Sequence, residues 1–165
     1  MGSCCDPVVW SFVSSPLSPP SGARGGPHSC GLYANVIRQK SLVLYGETRL
    51  GKTVWARSLG SHIYFCGLYS GAEAMRYNDV DYAVFDDMQL KFVPQYKNWL
   101  GCQKQFQVKI LYRDPVIIDW GRPCIWLSND DPRLEPHLSE TDIRWLEGNC
   151  IFVHLREPIF RANTT

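Results

Sequence analysis

The sequence predicts an α/β domain built on a mostly parallel sheet, and three observations predict it. From residue 41 onward short apolar runs alternate with amphipathic segments, the texture of buried strands and their crossover helices. A loop with glycines at both ends, Gly46 to Thr53, lies between the first apolar run and the first amphipathic one. Two neighbouring apolar runs separated only by Tyr112, Arg113, Asp114 and Pro115 break the alternation and read as a β-hairpin insertion.

Taken in order, residues 1–40 are a tail and lead-in rich in Ser, Pro and Gly, with too little apolar surface to offset the entropy of ordering them. A buried strand is expected at 41–45, a helix at 52–59 ended by Gly60, and strands at 63–66 and 82–85. A helix is expected at 93–100, and the hairpin strands at 106–111 and 116–120. A buried strand at 124–128, a helix at 140–146 capped by Ser139, and a last strand at 150–155 complete a domain over 41–160, leaving 161–165 as a tail. No internal repeat is present.

Composition removes several classes of function. Lys and Arg number 17 against 16 Asp and Glu, so no global field draws the chain to nucleic acid or to a membrane, and any such contact is local. Seven widely spaced cysteines, an odd number, do not read as the disulfide framework of a small secreted domain. Residues 7–13 are apolar but have no basic segment before them and are far short of the about 20 residues that span a bilayer. The chain reads as soluble and intracellular. A zinc site on Cys4, Cys5, His28 and Cys30 fits no metal-ligand spacing, and disorder is the preferred reading there.

Gly46, Glu47, Thr48, Arg49, Leu50, Gly51, Lys52 and Thr53 match the phosphate-loop pattern and sit between a strand and a helix, where its mechanism needs them. The glycines let consecutive N–H groups turn toward phosphate oxygens, and the helix N-terminus adds partial positive charge. Lys52 is then expected on the β and γ phosphates of ATP, and Thr53 on Mg²⁺, a hard cation that prefers oxygen ligands. The competing reading is an ordinary glycine turn before a helix.

Hydrolysis also needs acids at the end of a neighbouring strand. Asp86 and Asp87 follow Val84 and Phe85, and two carboxylates leaving an apolar strand are costly without a cation. Asp86 is assigned to the metal and Asp87 to polarising water; the plain alternative is a solvated turn. Asn129, after the run 124–128, can hydrogen-bond both the γ-phosphate and the attacking water. Taken alone it is a turn residue, since Asn129, Asp130, Asp131 and Pro132 are good turn chemistry.

This order of motifs, from the Gly46 loop through Asp86 and Asp87 and a basic hairpin to Asn129, resembles the superfamily 3 helicase domain. The wording at residues 52–60, 98–103 and 157–160 resembles replication-associated proteins of geminivirus and genomovirus type, over about residues 41–160. The resemblance implies a three-layer P-loop ATPase of the AAA+-like kind that assembles into homo-oligomeric rings, works in rolling-circle DNA replication and resides in the host nucleus. It implies single-stranded DNA as a partner, with the hairpin facing it: Lys109 and Arg113 on phosphates, beside Lys104 and Tyr112. Basic and aromatic residues interleaved in this way suit single strands, although a solvated strand face over a core Phe106 has the same pattern.

The family's nicking domain uses a His-x-His metal site, and His28, His62, His137 and His154 do not have that spacing, so nicking is expected to be absent. The early residues do not resemble the family's helical oligomerisation segment. Arg133, Arg144 and Arg156 are all candidates for the arginine that completes a neighbour's active site. Two further readings stay beside the motor. One is a non-catalytic nucleotide-binding module that joins full-length replication-associated protein. The other is a small phosphotransferase, for which the chain lacks an arginine-rich lid.

Overall fold

The computed structural model describes residues 39–160. Of the tail and lead-in expected over 1–40, residues 1–38 lie outside the described residues, as do the zinc candidates Cys4, Cys5, His28 and Cys30 and the tail at 161–165. Within them the β-branched and aromatic runs form strands β1 (Ser41–Tyr45), β2 (His62–Cys66), β3 (Tyr82–Asp86), β4 (Gln105–Val108), β5 (Val116–Asp119), β6 (Cys124–Ser128) and β7 (Cys150–His154). The helices are α1 (Lys52–Ser58), α2 (Gly71–Ala74), α3 (Tyr96–Leu100) and α4 (Glu140–Asn149). Short 3-10 turns cover Met75–Asp79, Leu90–Phe92 and Pro132–Leu134.

Five strands make one sheet in the order β2-β3-β6-β1-β7, with every neighbouring pair parallel. Strands β4 and β5 form a separate antiparallel pair, Phe106 opposite Ile118 and Val108 opposite Val116. β1, β3 and β6 are buried along nearly their whole length, as parallel strands covered on both faces must be.

Alternation along the strands divides the core. Val43, Ile63, Phe65, Ala83, Phe85, Cys124 and Trp126 face one side, in a cluster with Trp99 and Leu100 of α3, Leu146 of α4 and the inward residues Phe106, Val108 and Ile118 of the hairpin. Trp99 is the centre of that side: its ring meets Phe65, Phe85, Phe106 and Trp120 edge-on, with centroids 4.8 to 6.0 Å apart. Each such pair contributes about 0.5–1.5 kcal/mol beyond area burial, so Trp99 binds the hairpin to the sheet. The intervening residues, Leu42, Leu44, Val84, Ile125 and Leu127, face the opposite side and are fully buried. Tyr82 lies on that side too and donates its hydroxyl to Ala56 O of α1 at 2.6 Å.

Several element boundaries differ from expectation. The helix expected over 93–100 is confined to Tyr96–Leu100 because Pro94 holds Val93 extended and Gln95 then turns left-handed, φ 54°. The first hairpin strand stops at Val108 rather than 111, where Lys109 O packs against Gly71 so closely that a Cβ there would sit 2.3 Å away. α4 runs on to Asn149, and α1 stops at Ser58. α2 and the 3-10 turn after it are too short to leave a period in the sequence.

The amino-terminal end of the sheet is tied by Ser41, the first residue of β1. Its hydroxyl donates to Leu100 O at 2.8 Å and accepts from Cys124 N at 3.0 Å. Buried Cys102, Cys124 and Cys150 surround this end. Burial pushes the Cys150 thiol up to about 12 and raises that of Cys124 well above its ordinary value.

Candidate functional site

At the carboxyl ends of β1, β3 and β6 the chain leaves the sheet in three loops, and parallel α/β sheets bind their ligands at such ends. The loops enclose a cavity of about 340 Å³ lined by residues 48–54, by Asp86 and Asp87, and by Leu127, Ser128 and Asn129. Thr48, Arg49, Leu50, Gly51, Lys52 and Thr53, both acids and Asn129, expected from three separate motifs, therefore share one site. Gly46 and Glu47 do not line it; their carbonyls accept from Lys52 Nζ, which does.

The backbone of the first loop is built around its glycines. Gly46 has φ +153°, and a Cβ there would sit 2.2 Å from Leu155 O. Gly51 caps α1 with φ +84°, and the Phe160 ring stands 3.0 Å from where its Cβ would be. Arg49 is also left-handed, φ 64°, a turn that lets successive N–H groups face inward. Sequence reasoning missed the part of 155–160 in this loop: Ile159 N donates to Leu50 O at 2.9 Å and Leu155 N to Tyr45 O at 2.7 Å.

Lys52, 8% exposed, reaches back along the loop. Its Nζ donates to Gly46 O, to Glu47 O at 2.7 Å and to Asn129 Oδ1 at 3.3 Å. Burial lowers its pKa, and the nearby Asp86 carboxylate opposes that shift. Thr53, one residue on, donates its hydroxyl to Asp86 Oδ2 at 2.8 Å. A hydroxyl and a carboxylate oxygen thus meet beside an ammonium group, a donor set that suits a hard cation such as Mg²⁺ beside phosphates. Among the described residues no cluster of three or more His, Cys, Asp or Glu could hold a metal by itself.

β3 ends in Asp86, and Asp87 directly after it is left-handed, φ 53°. That conformation is uncommon for a residue with a side chain and turns the chain sharply enough for both carboxylates to line the cavity. A further residue that the sequence did not single out, Tyr64 of β2, donates its hydroxyl to the same Asp86 Oδ2 at 2.8 Å. Burial raises the Tyr64 pKa, and the bond to Asp86 raises it further. No signal in the sequence could have found it, because the contact depends on the register of β2 against β3.

The residues expected on DNA are brought together only in part. Lys109, Tyr112 and Arg113 are exposed in the loop joining β4 to β5, with Tyr112 96% exposed and left-handed at φ 58°. Lys104 is exposed at the opposite end of the hairpin, where its carbonyl accepts from Trp120 N at 2.7 Å. Of the three arginines, Arg133 is already engaged: it bonds Asp131 Oδ2 at 2.7 Å and Glu147 Oε1 at 3.2 Å, and lies 4.4 Å from the Phe152 ring centroid. Arg144 and Arg156 are exposed. No described helix is long and apolar enough to cross a membrane.

No family model matches the chain. Among curated proteins it is 41% identical over 131 residues to the replication-associated protein of Tobacco yellow dwarf virus (strain Australia), covering 78% of this chain and 38% of that protein. It is 36% identical over 119 residues to the replication-associated protein of Chloris striate mosaic virus, covering 72% of this chain and 33% of that protein. For the replication-associated protein of Bean yellow dwarf virus the identity is 37% over 116 residues, with 70% and 34% covered. The chain thus spans about a third of the length of the curated relatives it matches, and over that stretch it is a homologue of the viral replication-associated proteins.

Proposed function

We propose that the chain is an ATP-hydrolysing P-loop domain of the superfamily 3 helicase kind, acting in rolling-circle DNA replication. The observation that carries this reading is the meeting of Lys52, Thr53, Asp86, Asp87 and Asn129 in one cavity at the ends of three parallel strands. Kinship with replication-associated proteins supports the replicative setting.

In this reading the N–H groups of residues 48–53 bind phosphate oxygens, and Lys52 Nζ leaves the Gly46 and Glu47 carbonyls to neutralise the terminal phosphates. Thr53 and Asp86 would hold a magnesium ion and its waters. The ion, when bound, would supply charge neutralisation to the phosphates. Asp87 would polarise the attacking water, and Asn129, freed from Lys52, would direct its amide to the γ-phosphate and that water. Arg144 or Arg156 serves a neighbouring copy in a ring, since Arg133 is held by Asp131 and Glu147. Lys109, Tyr112 and Arg113 offer two cations and an open ring to single-stranded DNA, and Lys104 stands apart from them.

The test is ATP turnover by the full chain with and without single-stranded DNA, beside Lys52→Ala and Lys109→Ala. Lys52→Ala is expected to lower turnover about 100-fold or more, and Lys109→Ala to remove the stimulation by DNA while sparing basal turnover. Turnover indifferent to Lys52→Ala would sink the assignment of the cavity. Nucleotide binding without turnover would favour a nucleotide-binding module instead.

A further inference from the structure

The cavity has a support that reaches it from outside. Asp86 Oδ2 accepts two hydrogen bonds, from Thr53 Oγ1 and from Tyr64 OH, each 2.8 Å long. Thr53 lines the cavity and shares its hydroxyl with whatever binds there, whereas Tyr64, on the next strand, does not line it. The Tyr64 ring is itself fixed: the Arg57 guanidinium of α1 lies 4.2 Å from its centroid, and Arg57 Nε donates to His62 Nε2 at 3.4 Å.

We propose that Tyr64 is a positioning residue for the metal-holding acid, setting the rotation of the Asp86 carboxylate so that Oδ1 is the oxygen presented to the cation and its waters. The proposal rests on the ATPase reading above. The last torsion of an aspartate has a broad, shallow preference and is set by what its oxygens bond to. Asp86 is the final residue of β3, so its backbone is held by the sheet while its carboxylate is not. With Oδ2 claimed by two hydroxyls, rotation of the group costs two hydrogen bonds. Oδ1 has no hydrogen-bond partner among the described residues. Tyr64 does not line the cavity, so its contribution acts only through Asp86. The parallel register sets Tyr64 beside Val84, two residues before the acid, and the length of a tyrosine spans that offset.

Tyr64→Phe removes the hydroxyl and keeps the ring under Arg57. In the full 165-residue chain, binding of a fluorescent ATP analogue and ATP turnover are each measured across a Mg²⁺ titration, with thermal unfolding alongside. The expected result is a rise of about tenfold in the Mg²⁺ concentration giving half-maximal binding and a fall of about tenfold in kcat, the size typical of losing a partner to a metal-holding group. KM for ATP at saturating Mg²⁺ and the unfolding midpoint stay at the wild-type values. Unchanged Mg²⁺ dependence overturns the proposal. So does a Tyr64→Phe protein equal to wild type beside a defective Tyr64→Leu, which would make the ring a packing element only, and so does a KM and unfolding midpoint that shift together. Absence of Mg²⁺-dependent nucleotide binding in the wild-type chain would instead remove the ATPase reading itself, and this proposal with it.

Discussion

Gly46 shows how a single residue decides whether the site can exist. Its φ of +153° and the Leu155 carbonyl leave no space for a β-carbon, because the nearest backbone oxygen would be 2.2 Å away. Gly46→Ala is therefore expected to destabilise the fold by on the order of 1–3 kcal/mol and to abolish nucleotide binding. Gly148, in α4, meets nothing within 4 Å, so Gly148→Ala is expected to stabilise by about 0.5–1 kcal/mol through helix propensity alone. Thermal unfolding of the two variants, with a nucleotide titration, checks the pair; equal behaviour would sink the steric argument. At this scale much was legible. The loop from Gly46 to Thr53, the two acids and Asn129 announce themselves because each motif is local in sequence, and the structure gathers residues 48–53, both acids and Asn129 in one cavity. Tyr64 and the Leu155 carbonyl were invisible because their roles arise from neighbours on other strands.

Among the elements, α4 carries its own start signal. Ser139 accepts from Asp142 N, and Asp142 Oδ2 accepts from Ser139 N at 3.2 Å, a reciprocal capping box that the sequence foretold at its first half. Asp142 is also a junction, taking Lys97 Nζ at 2.7 Å and Tyr96 OH at 3.0 Å from α3. Ser139→Ala is expected to cost about 1 kcal/mol. Lys97, then Ser139, hold the Asp142 carboxyl well below the usual carboxylate range. Its folded pKa therefore lies beneath the unfolded one, so its contribution to stability is complete above about pH 4 and disappears as pH falls through the folded value. Unfolding midpoints of wild type and Asp142→Asn, followed from about pH 7 downward, should differ at neutrality and converge in acid; a gap independent of pH would show that the carboxylate charge is not involved. Element boundaries were less legible than element types. Pro94 shortened α3 through the residue before it, and Gly71, distant in sequence, ended β4.

Over the whole molecule, alternation of apolar runs made the parallel sheet and its antiparallel insertion predictable, whereas the order β2-β3-β6-β1-β7 was not, since nothing local records which strand lies beside which. That order sets β6, the strand leading to Asn129, between the strand before the Gly46–Thr53 loop and the strand of the acids. It also separates the ends of the sheet chemically. The cavity with its charged side chains lies at the carboxyl end, whereas Cys102, Cys124 and Cys150 are sealed around Ser41 at the other; Cys66, the last residue of β2, is exposed. Thiolates, not thiols, react with alkylating and disulfide reagents, and burial keeps Cys124 and Cys150 protonated. In a chain whose Cys4, Cys5 and Cys30 are replaced by serine, Cys66 should be modified at once and the other three together, at the rate at which the domain opens. Four thiols modified at a single rate would overturn this. The sealed cysteines thus time the opening of the sheet from within, and on the proposed ATPase reading a nucleotide bound at one end would slow their modification at the other.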